Sequence, residues 1–205
     1  MKFIEKYGLT INSVIVVVLT SILTTILHEL GHFIPAYFFG LQPELHHNFV
    51  SYDNSNVSSD KLAIIAACGP VLSLVLGTIF LFISKNITAK GYLSLFTLWL
   101  GLQGFLTFFG YLFIAPFFTY GDTGKVFAIL GIPFVLVIAI SIFGIAALVY
   151  FFKKQTKEFR FYGDEEMNIV QRANALILFP VLGSLPACVL QLPVPTFLSL
   201  LAPIM

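Results

Sequence analysis

The residues of this chain best suited to chemistry are two histidines and a glutamate within five positions, His28-Glu29-Leu30-Gly31-His32. Residues four apart share one face of a helix, so His28 and His32 can present two imidazoles to the same metal ion. Neutral imidazole suits zinc, and Glu29 lies where a carboxylate can accept a proton from an attacking water. The spacing therefore predicts a hydrolytic zinc (Zn2+) site, with His28 and His32 as ligands and Glu29 as the catalytic general base.

A structural role is the alternative, in which these side chains satisfy polar contacts between packed helices. The motif, however, lies inside an apolar run, residues 9–39. An ionisable side chain within a membrane costs roughly 2–3 kcal/mol or more. Three such residues within five positions therefore favour a functional site.

A catalytic zinc site needs a third protein ligand and leaves its fourth position for water. Asp122 is the leading candidate because it lies between two adjacent apolar runs, where an unpaired carboxylate is costly. Alternating spans also place it on the same side as His32. Its alternative role is N-cap of the next helix, a position that favours Asp. A polar segment supplies competing candidates, for which a surface loop is the simpler explanation: His46 and His47, then Glu44 and Asp53.

The composition predicts that these residues are held by a membrane protein. Of 205 residues, 58% are hydrophobic and only 10% are charged, too few charges to cover a soluble domain. A membrane-spanning helix needs about 20 residues, and five apolar runs are adequate: 9–39, 62–83, 92–118, 126–152 and 169–190. The net charge of +1 gives no general attraction to nucleic acid, so the lipid bilayer is the expected environment.

These runs predict an all-α integral membrane protein with about five transmembrane helices, built as a single membrane-embedded domain over residues 1–205. The segment after Gly40 combines strand-forming residues with a turn-like sequence at 53–56. It predicts a short β-hairpin or strand at the membrane surface after the first span.

The basic residues predict an orientation. If five spans alternate, one side of the membrane receives only Lys61 and Lys125. The other side receives the remaining basic residues: Lys2, Lys6, Lys85, Lys90, Lys153, Lys154, Lys157, Arg160 and Arg172. Positively charged loops favour the cytoplasm, so the N-terminus is predicted to be cytoplasmic and the metal site to open toward the extracytoplasmic side.

Three segments together resemble motifs of the site-2 protease family of intramembrane zinc metalloproteases. The first, HELGHFIPAYFFG, begins at His28 and resembles the family's HELGH motif with its helix-ending glycine. The second, CGPVLS, begins at Cys68 and resembles a Gly-Pro-x-x-Asn motif, with Ser73 in place of the asparagine. The third, YGDTGKV, begins at Tyr120 and resembles a Leu-Asp-Gly-Gly-Arg segment. They follow the family's order over roughly residues 27–130.

The resemblance implies that His28, His32 and Asp122 bind zinc and that Glu29 is the base. It also implies regulated intramembrane proteolysis, in which a transmembrane protein substrate is partly unwound and cleaved near the bilayer surface. Substrate contacts would fall to the second motif (Gly69, Pro70 and Ser73) and to the strand-like segment (Asn48, Phe49 and Val50). Two departures matter: Ser73 is not an asparagine, and many family members open their site toward the cytoplasm.

Two other kinds of function compete with proteolysis. One is a zinc-binding membrane transporter or sensor, and the other is a catalytically inactive relative. Transport favours a line of polar residues through the spans. Beyond the motif the apolar runs offer only a few, among them Gln103 and Asn174.

Overall fold

The computed structural model describes residues 2–186 and Val189, with side chains described from Tyr7 onward. Within that part of the chain the helices are α1 (Lys2–Phe38), α2 (Ser59–Asn86), α3 (Tyr92–Ile114), α4 (Asp122–Ile129), α5 (Phe134–Gln155), α6 (Ile169–Ala173) and α7 (Phe179–Ser184). Strands β1 (Glu44–Leu45) and β2 (Val50–Ser51) separate α1 from α2. A 3₁₀ turn (Thr156–Phe161) follows α5, and a π-helical turn (Asn174–Leu178) joins α6 to α7.

Among the described residues, four helical segments are long and apolar enough to cross a membrane: Tyr7–Phe38, Ser59–Asn86, Tyr92–Ile114 and Phe134–Phe161. The fold class predicted from composition, an all-α membrane protein with one short hairpin, is confirmed. The first two spans coincide with the predicted runs to within about one helical turn. The third ends at Ile114, shortly before Pro116, and so is shorter than the predicted run 92–118.

The predicted fourth span, 126–152, is wrong at its start. Residues 122–129 form the separate short helix α4, and the spanning helix begins at Phe134. Gly131 between them takes a left-handed φ of +63°, and Pro133 cannot donate the backbone hydrogen bond that would continue a helix. Apolar composition alone does not register this break.

The predicted fifth span, 169–190, is a shorter apolar helical segment in the described residues, Ile169–Ser184. It begins where expected, because the Asn168 side chain accepts a hydrogen bond from the Gln171 N–H in a reciprocal capping box. A π-helical turn interrupts it before α7. The predicted end at residue 190 lies outside the described residues.

The core of the bundle is formed where α1, α2 and α3 pack together. Leu95, Leu98 and Leu102 of α3 are almost fully buried there. Glycines allow the close approach of α2 and α3, since a Cβ on Gly104 would lie 2.8 Å from Gly77 Cα and 2.5 Å from the Ser73 carbonyl oxygen.

The spans alternate in direction, so the bundle has two distinct ends. At one end, the Tyr162 hydroxyl after α5 lies 2.7 Å from Ser94 Oγ at the start of α3. Lys90, which precedes α3, lies over the ring of Phe161. Most of the basic residues belong to this end by their place in the chain. The hairpin and α4 belong to the opposite end.

The predicted hairpin is present as a two-stranded antiparallel sheet. Glu44 pairs with Ser51 and Leu45 with Val50. His46 N–H donates to the Phe49 carbonyl across the turn at 2.9 Å. Both strands contact α1, so the hairpin rests against the C-terminal part of the helix that carries the histidines.

We predict that Gly104→Ala weakens the packing of α2 against α3. The added methyl would overlap the Ser73 carbonyl and Gly77 Cα, and such overpacking costs roughly 1–3 kcal/mol. Thermal unfolding in detergent measures the change. Gly8→Ala is the matched control, because a Cβ there meets no atom within 4 Å. Equal midpoints for the two variants would contradict this account of the core.

Candidate metal centre

Three ligand atoms converge at the end of the bundle that carries the hairpin. The Asp122 Oδ2 atom lies 2.9 Å from His28 Nε2 and 3.1 Å from His32 Nε2, and the two imidazole nitrogens are 3.1 Å apart. The histidines are one turn apart on α1, as their spacing predicted, and Asp122 is the first residue of α4. The structure therefore brings together the three residues predicted as ligands, in an arrangement that could hold a metal ion.

Glycines permit α2 to approach this cluster. A Cβ on Gly69 would overlap the His32 ring and lie 2.9 Å from His28 Nε2. A Cβ on Gly31 would lie 2.7 Å from the Cys68 carbonyl oxygen. Gly31 of α1 thus lies against Gly69 of α2 beside the imidazoles. Any larger residue at position 69 would displace the rings.

The outer nitrogen of each imidazole donates a hydrogen bond to a group on α2. His32 Nδ1 lies 2.7 Å from the carbonyl oxygen of Ile65, which can only accept, so this nitrogen carries the proton. His28 Nδ1 lies 3.0 Å from Ser73 Oγ, whose own proton goes to the Gly69 carbonyl. In the neutral rings, both Nε2 atoms consequently present lone pairs toward Asp122.

This set of atoms fits a divalent metal ion. Two imidazole lone pairs and a carboxylate oxygen repel one another at these distances unless a cation or a proton lies between them. In a tetrahedral site with metal–nitrogen bonds of 2.0–2.1 Å, ligand atoms stand about 3.3 Å apart. The observed separations of 2.9 to 3.1 Å are close to that value.

Glu29 lies beside the ligands without joining them. It is buried, with 9% of its surface exposed, while His28 and His32 are 2% and 8% exposed. Its carboxylate interacts electrostatically with both histidines and with Asp122. A buried carboxylate next to a metal site but outside its ligand set is the arrangement required of a general base.

Asp122 does not serve as the N-cap of the helix that it begins. The N-cap position belongs to Gly121, and Asp122 follows it as the first helical residue. Its side chain turns to the histidines on α1 and is 23% exposed. The alternative role for Asp122 is therefore not the one the structure displays.

The competing ligand candidates lie in and after the hairpin rather than in the cluster. The His46 ring stacks on Phe49 with centroids 4.1 Å apart, and its Nε2 lies 3.8 Å from the exposed Glu44 carboxylate. His47 is exposed. Asp53 is also exposed, and hydrogen bonds from Ser55 lower the pKa of its carboxyl group. Among the described residues, none of these joins the potential metal ligands.

The residues predicted to contact substrate fall into two groups. Gly69, Pro70 and Ser73 are buried in α2, where Gly69 lies against the histidine rings and the Ser73 hydroxyl accepts a hydrogen bond from His28. The second group belongs to the hairpin, where Asn48 is buried and Phe49 and Val50 are half-buried.

Tyr52, just after β2, links the hairpin to the cluster. Burial and the nearby negative charge of Asp122 raise the pKa of its hydroxyl group. The residue that follows the hairpin strands therefore lies within electrostatic range of the third ligand.

One residue of the site escaped prediction. The Tyr111 ring on α3 stacks on His28 with centroids 5.0 Å apart and planes 3° from parallel. Its hydroxyl group interacts electrostatically with the carboxylates of Asp122 and Glu29. The sequence signal for Tyr111 was its spacing. It follows Gly104 by two helical turns, so both residues lie on the face of α3 that packs on α2.

Comparisons with protein-family models, with curated proteins and with solved structures give no match. The interpretation of this site therefore depends on its own geometry and chemistry.

We predict that metal binding requires all three clustered residues. The variants His28→Ala, His32→Ala and Asp122→Ala should each lower the metal content of purified protein from about one ion per chain to well below that value, because each removes one of three ligands. Elemental analysis of protein dialysed against trace zinc measures the stoichiometry.

His46→Ala and His47→Ala are matched controls, since they remove imidazoles from the same end of the protein but outside the cluster. Both should retain wild-type metal content. Retention of the ion after Asp122→Ala would remove this residue from the ligand set, and its loss in a control would point to a different site.

Proposed function

We propose that this protein is an intramembrane zinc metalloprotease that hydrolyses peptide bonds of membrane-spanning proteins. The observation that carries the proposal is the convergence of His28, His32 and Asp122 beside the buried carboxylate of Glu29. The location of His28, Glu29 and His32 on an apolar helix of membrane-spanning length supports a substrate that is itself embedded in the bilayer.

Zinc is the ion that this donor set favours. Imidazole suits zinc, copper, iron and nickel, and carboxylate oxygen adds a hard ligand that zinc also accepts. Three protein ligands with a fourth position for water are typical of catalytic rather than structural zinc sites. The nearly equal separations of the three ligand atoms favour a tetrahedral site over a square-planar one, in which two of the three atoms would lie on opposite sides of the ion and much farther apart.

The ion, when bound, supplies Lewis-acid polarisation of water and of the peptide carbonyl. The protein residues supply the proton transfers. Glu29 takes a proton from the attacking water as the water oxygen bonds to the carbonyl carbon. It then delivers that proton to the amide nitrogen as the carbon–nitrogen bond breaks. The Ile65 carbonyl and the Ser73 hydroxyl accept hydrogen bonds from the Nδ1 atoms of His32 and His28. These bonds keep the Nε2 lone pairs directed toward Asp122.

The hairpin supports binding of an extended peptide. In the described part of the chain the sheet has two strands, so each strand keeps one outer edge to which a peptide can add by backbone hydrogen bonds. The strands contact α1, and Tyr52 lies within electrostatic range of Asp122. We assign substrate contact to Asn48, Phe49 and Val50 on this basis, and to Gly69, Pro70 and Ser73 of α2.

Ion transport is the principal competing function. The polar residues between the site and the basic end of the bundle support it less well than the site itself supports hydrolysis. The Thr20 and Thr25 hydroxyls donate to carbonyls of their own helix, and the Gln103 amide donates to the Val17 carbonyl. Among the described residues, no other cluster of three potential metal ligands is present that could receive an ion next. A single site with an adjacent base fits hydrolysis better.

We also propose that the basic end of the bundle is cytoplasmic and that the metal site opens toward the opposite face. Lys85, Lys90 and the basic residues of 153–160 belong to that end, whereas Lys61 and Lys125 belong to the end with the hairpin. This asymmetry is what the positive-inside rule uses to set orientation.

Replacing Glu29 by Gln should abolish proteolysis without loss of the metal. Gln keeps the size of the side chain but cannot accept the proton, and general-base catalysis contributes roughly 100-fold or more to rate. Comparison of peptides from membranes that contain wild-type or Glu29→Gln protein measures cleavage as accumulation of intact transmembrane substrates. Elemental analysis of the same preparations measures zinc.

Glu44→Gln makes the same chemical change at an exposed carboxylate of the hairpin and should cleave normally. Cleavage by Glu29→Gln at the wild-type rate would disprove the assigned mechanism. Identical peptide profiles for wild-type and Glu29→Gln membranes, with zinc bound in both, would instead favour a non-proteolytic metal protein.

The proposed orientation predicts which loops are accessible from outside the cell. With Cys68 and Cys188 replaced by Ala, a new cysteine at exposed Ser55 should react with a membrane-impermeant maleimide on intact cells. A cysteine at exposed Lys157 should react only after the membrane is permeabilised. The reverse pattern would place the metal site on the cytoplasmic side.

A further inference from the structure

Two basic side chains lie over the same aromatic ring at the basic end of the bundle. The Lys90 ammonium nitrogen is 6.0 Å from the centroid of the Phe161 ring, and the central carbon of the Arg160 guanidinium is 4.8 Å from it. Lys90 precedes α3, whereas Arg160 and Phe161 end the 3₁₀ turn after α5. Segments far apart in the sequence thus bring two positive charges to one ring, which is itself 46% exposed.

Hydrogen bonds to backbone carbonyls hold this arrangement in place. The Lys90 ammonium donates to the Ser84 carbonyl near the end of α2, at 2.8 Å. The Arg172 guanidinium donates to the carbonyls of Arg160 and Asp164, and so fixes the backbone that carries the Arg160 side chain. A carbonyl is a neutral acceptor, so these bonds position the cations without balancing their charge.

Acidic residues share this end of the protein but do not pair with the cluster. Glu158 is half-buried, and three exposed acidic residues follow at 164–166. In the part of the chain that the structure describes, every ion pair involves a histidine, so no carboxylate lies within ion-pair distance of Lys90, Arg160 or Arg172. The three positive charges therefore have no anionic partner in that part of the chain.

The depth of the cluster indicates which anion it meets. Two segments of membrane-spanning length, Ser59–Asn86 and Phe134–Phe161, end here, and a third, Tyr92–Ile114, begins here. The ends of spanning helices lie where the polar headgroups of the lipids begin. Basic pockets between spanning helices bind the headgroups of anionic phospholipids, because the phosphate replaces the missing carboxylate partner.

We propose that Lys90, Arg160 and Phe161 form a binding site for the headgroup of an anionic phospholipid such as phosphatidylglycerol. The lipid phosphate contacts the ammonium and the guanidinium, which the Phe161 ring keeps next to each other. Among the described helices, α5 packs mainly on α3, and many of its side chains face outward. A lipid bound to Lys90 and Arg160 joins the end of α5 to the connection between α2 and α3. This inference does not depend on the metal site or on proteolysis.

The test uses the full chain, purified in a non-ionic detergent and titrated with phosphatidylglycerol or phosphatidylcholine. Native mass spectrometry counts the bound lipid molecules and gives their affinity. We expect the wild type to bind phosphatidylglycerol roughly tenfold more tightly than phosphatidylcholine. Each basic residue near an anionic headgroup contributes about a fivefold gain in affinity. The double variant Lys90→Gln, Arg160→Gln should therefore bind phosphatidylglycerol roughly 20-fold more weakly.

The matched control is the double variant Lys153→Gln, Lys154→Gln. It removes the same charge from exposed positions at the same end of the protein but outside the cluster, so it should bind phosphatidylglycerol as the wild type does. Equal weakening in the two double variants would indicate a general attraction to positive charge and would overturn the site. Free glycerol phosphate should not displace the lipid, and displacement at equal concentration would assign the cluster to a soluble phosphate compound instead.

The single variant Arg160→Gln separates lipid binding from folding. Its side chain is exposed, and Arg172 bonds to its backbone carbonyl, so the substitution should leave the melting temperature in detergent alone unchanged. We expect it to bind phosphatidylglycerol about fivefold more weakly. Wild-type affinity in Arg160→Gln, or equal affinity of the wild type for the two lipids, would overturn the inference. Neither result would bear on metal binding or on the proposed hydrolase.

Discussion

Three groups that can only accept protons or cations face one another at the end of an apolar helix bundle, and the rest of the structure depends on that convergence. The Nε2 atoms of His28 and His32 and the Oδ2 atom of Asp122 lie 2.9 to 3.1 Å apart. With both outer nitrogens committed to α2, none of the three brings a proton of its own in the neutral state. Such a juxtaposition is stable when a cation occupies its centre, and it explains why ionisable residues are kept on a membrane-spanning helix.

Close helix packing is what makes the convergence geometrically achievable. Gly31 and Gly69 let α1 and α2 touch beside the imidazoles, and Gly77 and Gly104 do the same for α2 and α3. In a bilayer, where lipid is as apolar as the side chains, such small residues allow the van der Waals contact that holds helices together. Residues 130–133 separate α4 from the next spanning helix, α5. As part of a separate short helix, Asp122 can lie beside the histidines.

The sequence was informative where the physical signal is local. Helical spacing placed His28 and His32 on one face, and apolar length located the first two spans. The short helix α4 was missed because residues 126–152 are apolar throughout, and hydropathy does not register a left-handed Gly131. Tyr111 was missed for a different reason. Its spacing from Gly104 places it on the face of α3 that packs on α2, but neither spacing nor residue type predicts that its ring stacks on His28 of α1.

The position of the hairpin connects the metal site with the physical problem of cleaving a membrane helix. The backbone groups of such a helix are hydrogen-bonded internally, so its carbonyl groups are poor targets until the helix unwinds. Unwinding in an apolar environment leaves those groups without partners unless the enzyme supplies them. An outer strand edge supplies partners of the right kind, and here the sheet rests on the helix that carries the histidines while Tyr52 lies within electrostatic range of Asp122. The proposed substrate is thus extended at the place where the proposed chemistry occurs, which accounts for a sheet of only two strands in an otherwise helical described chain.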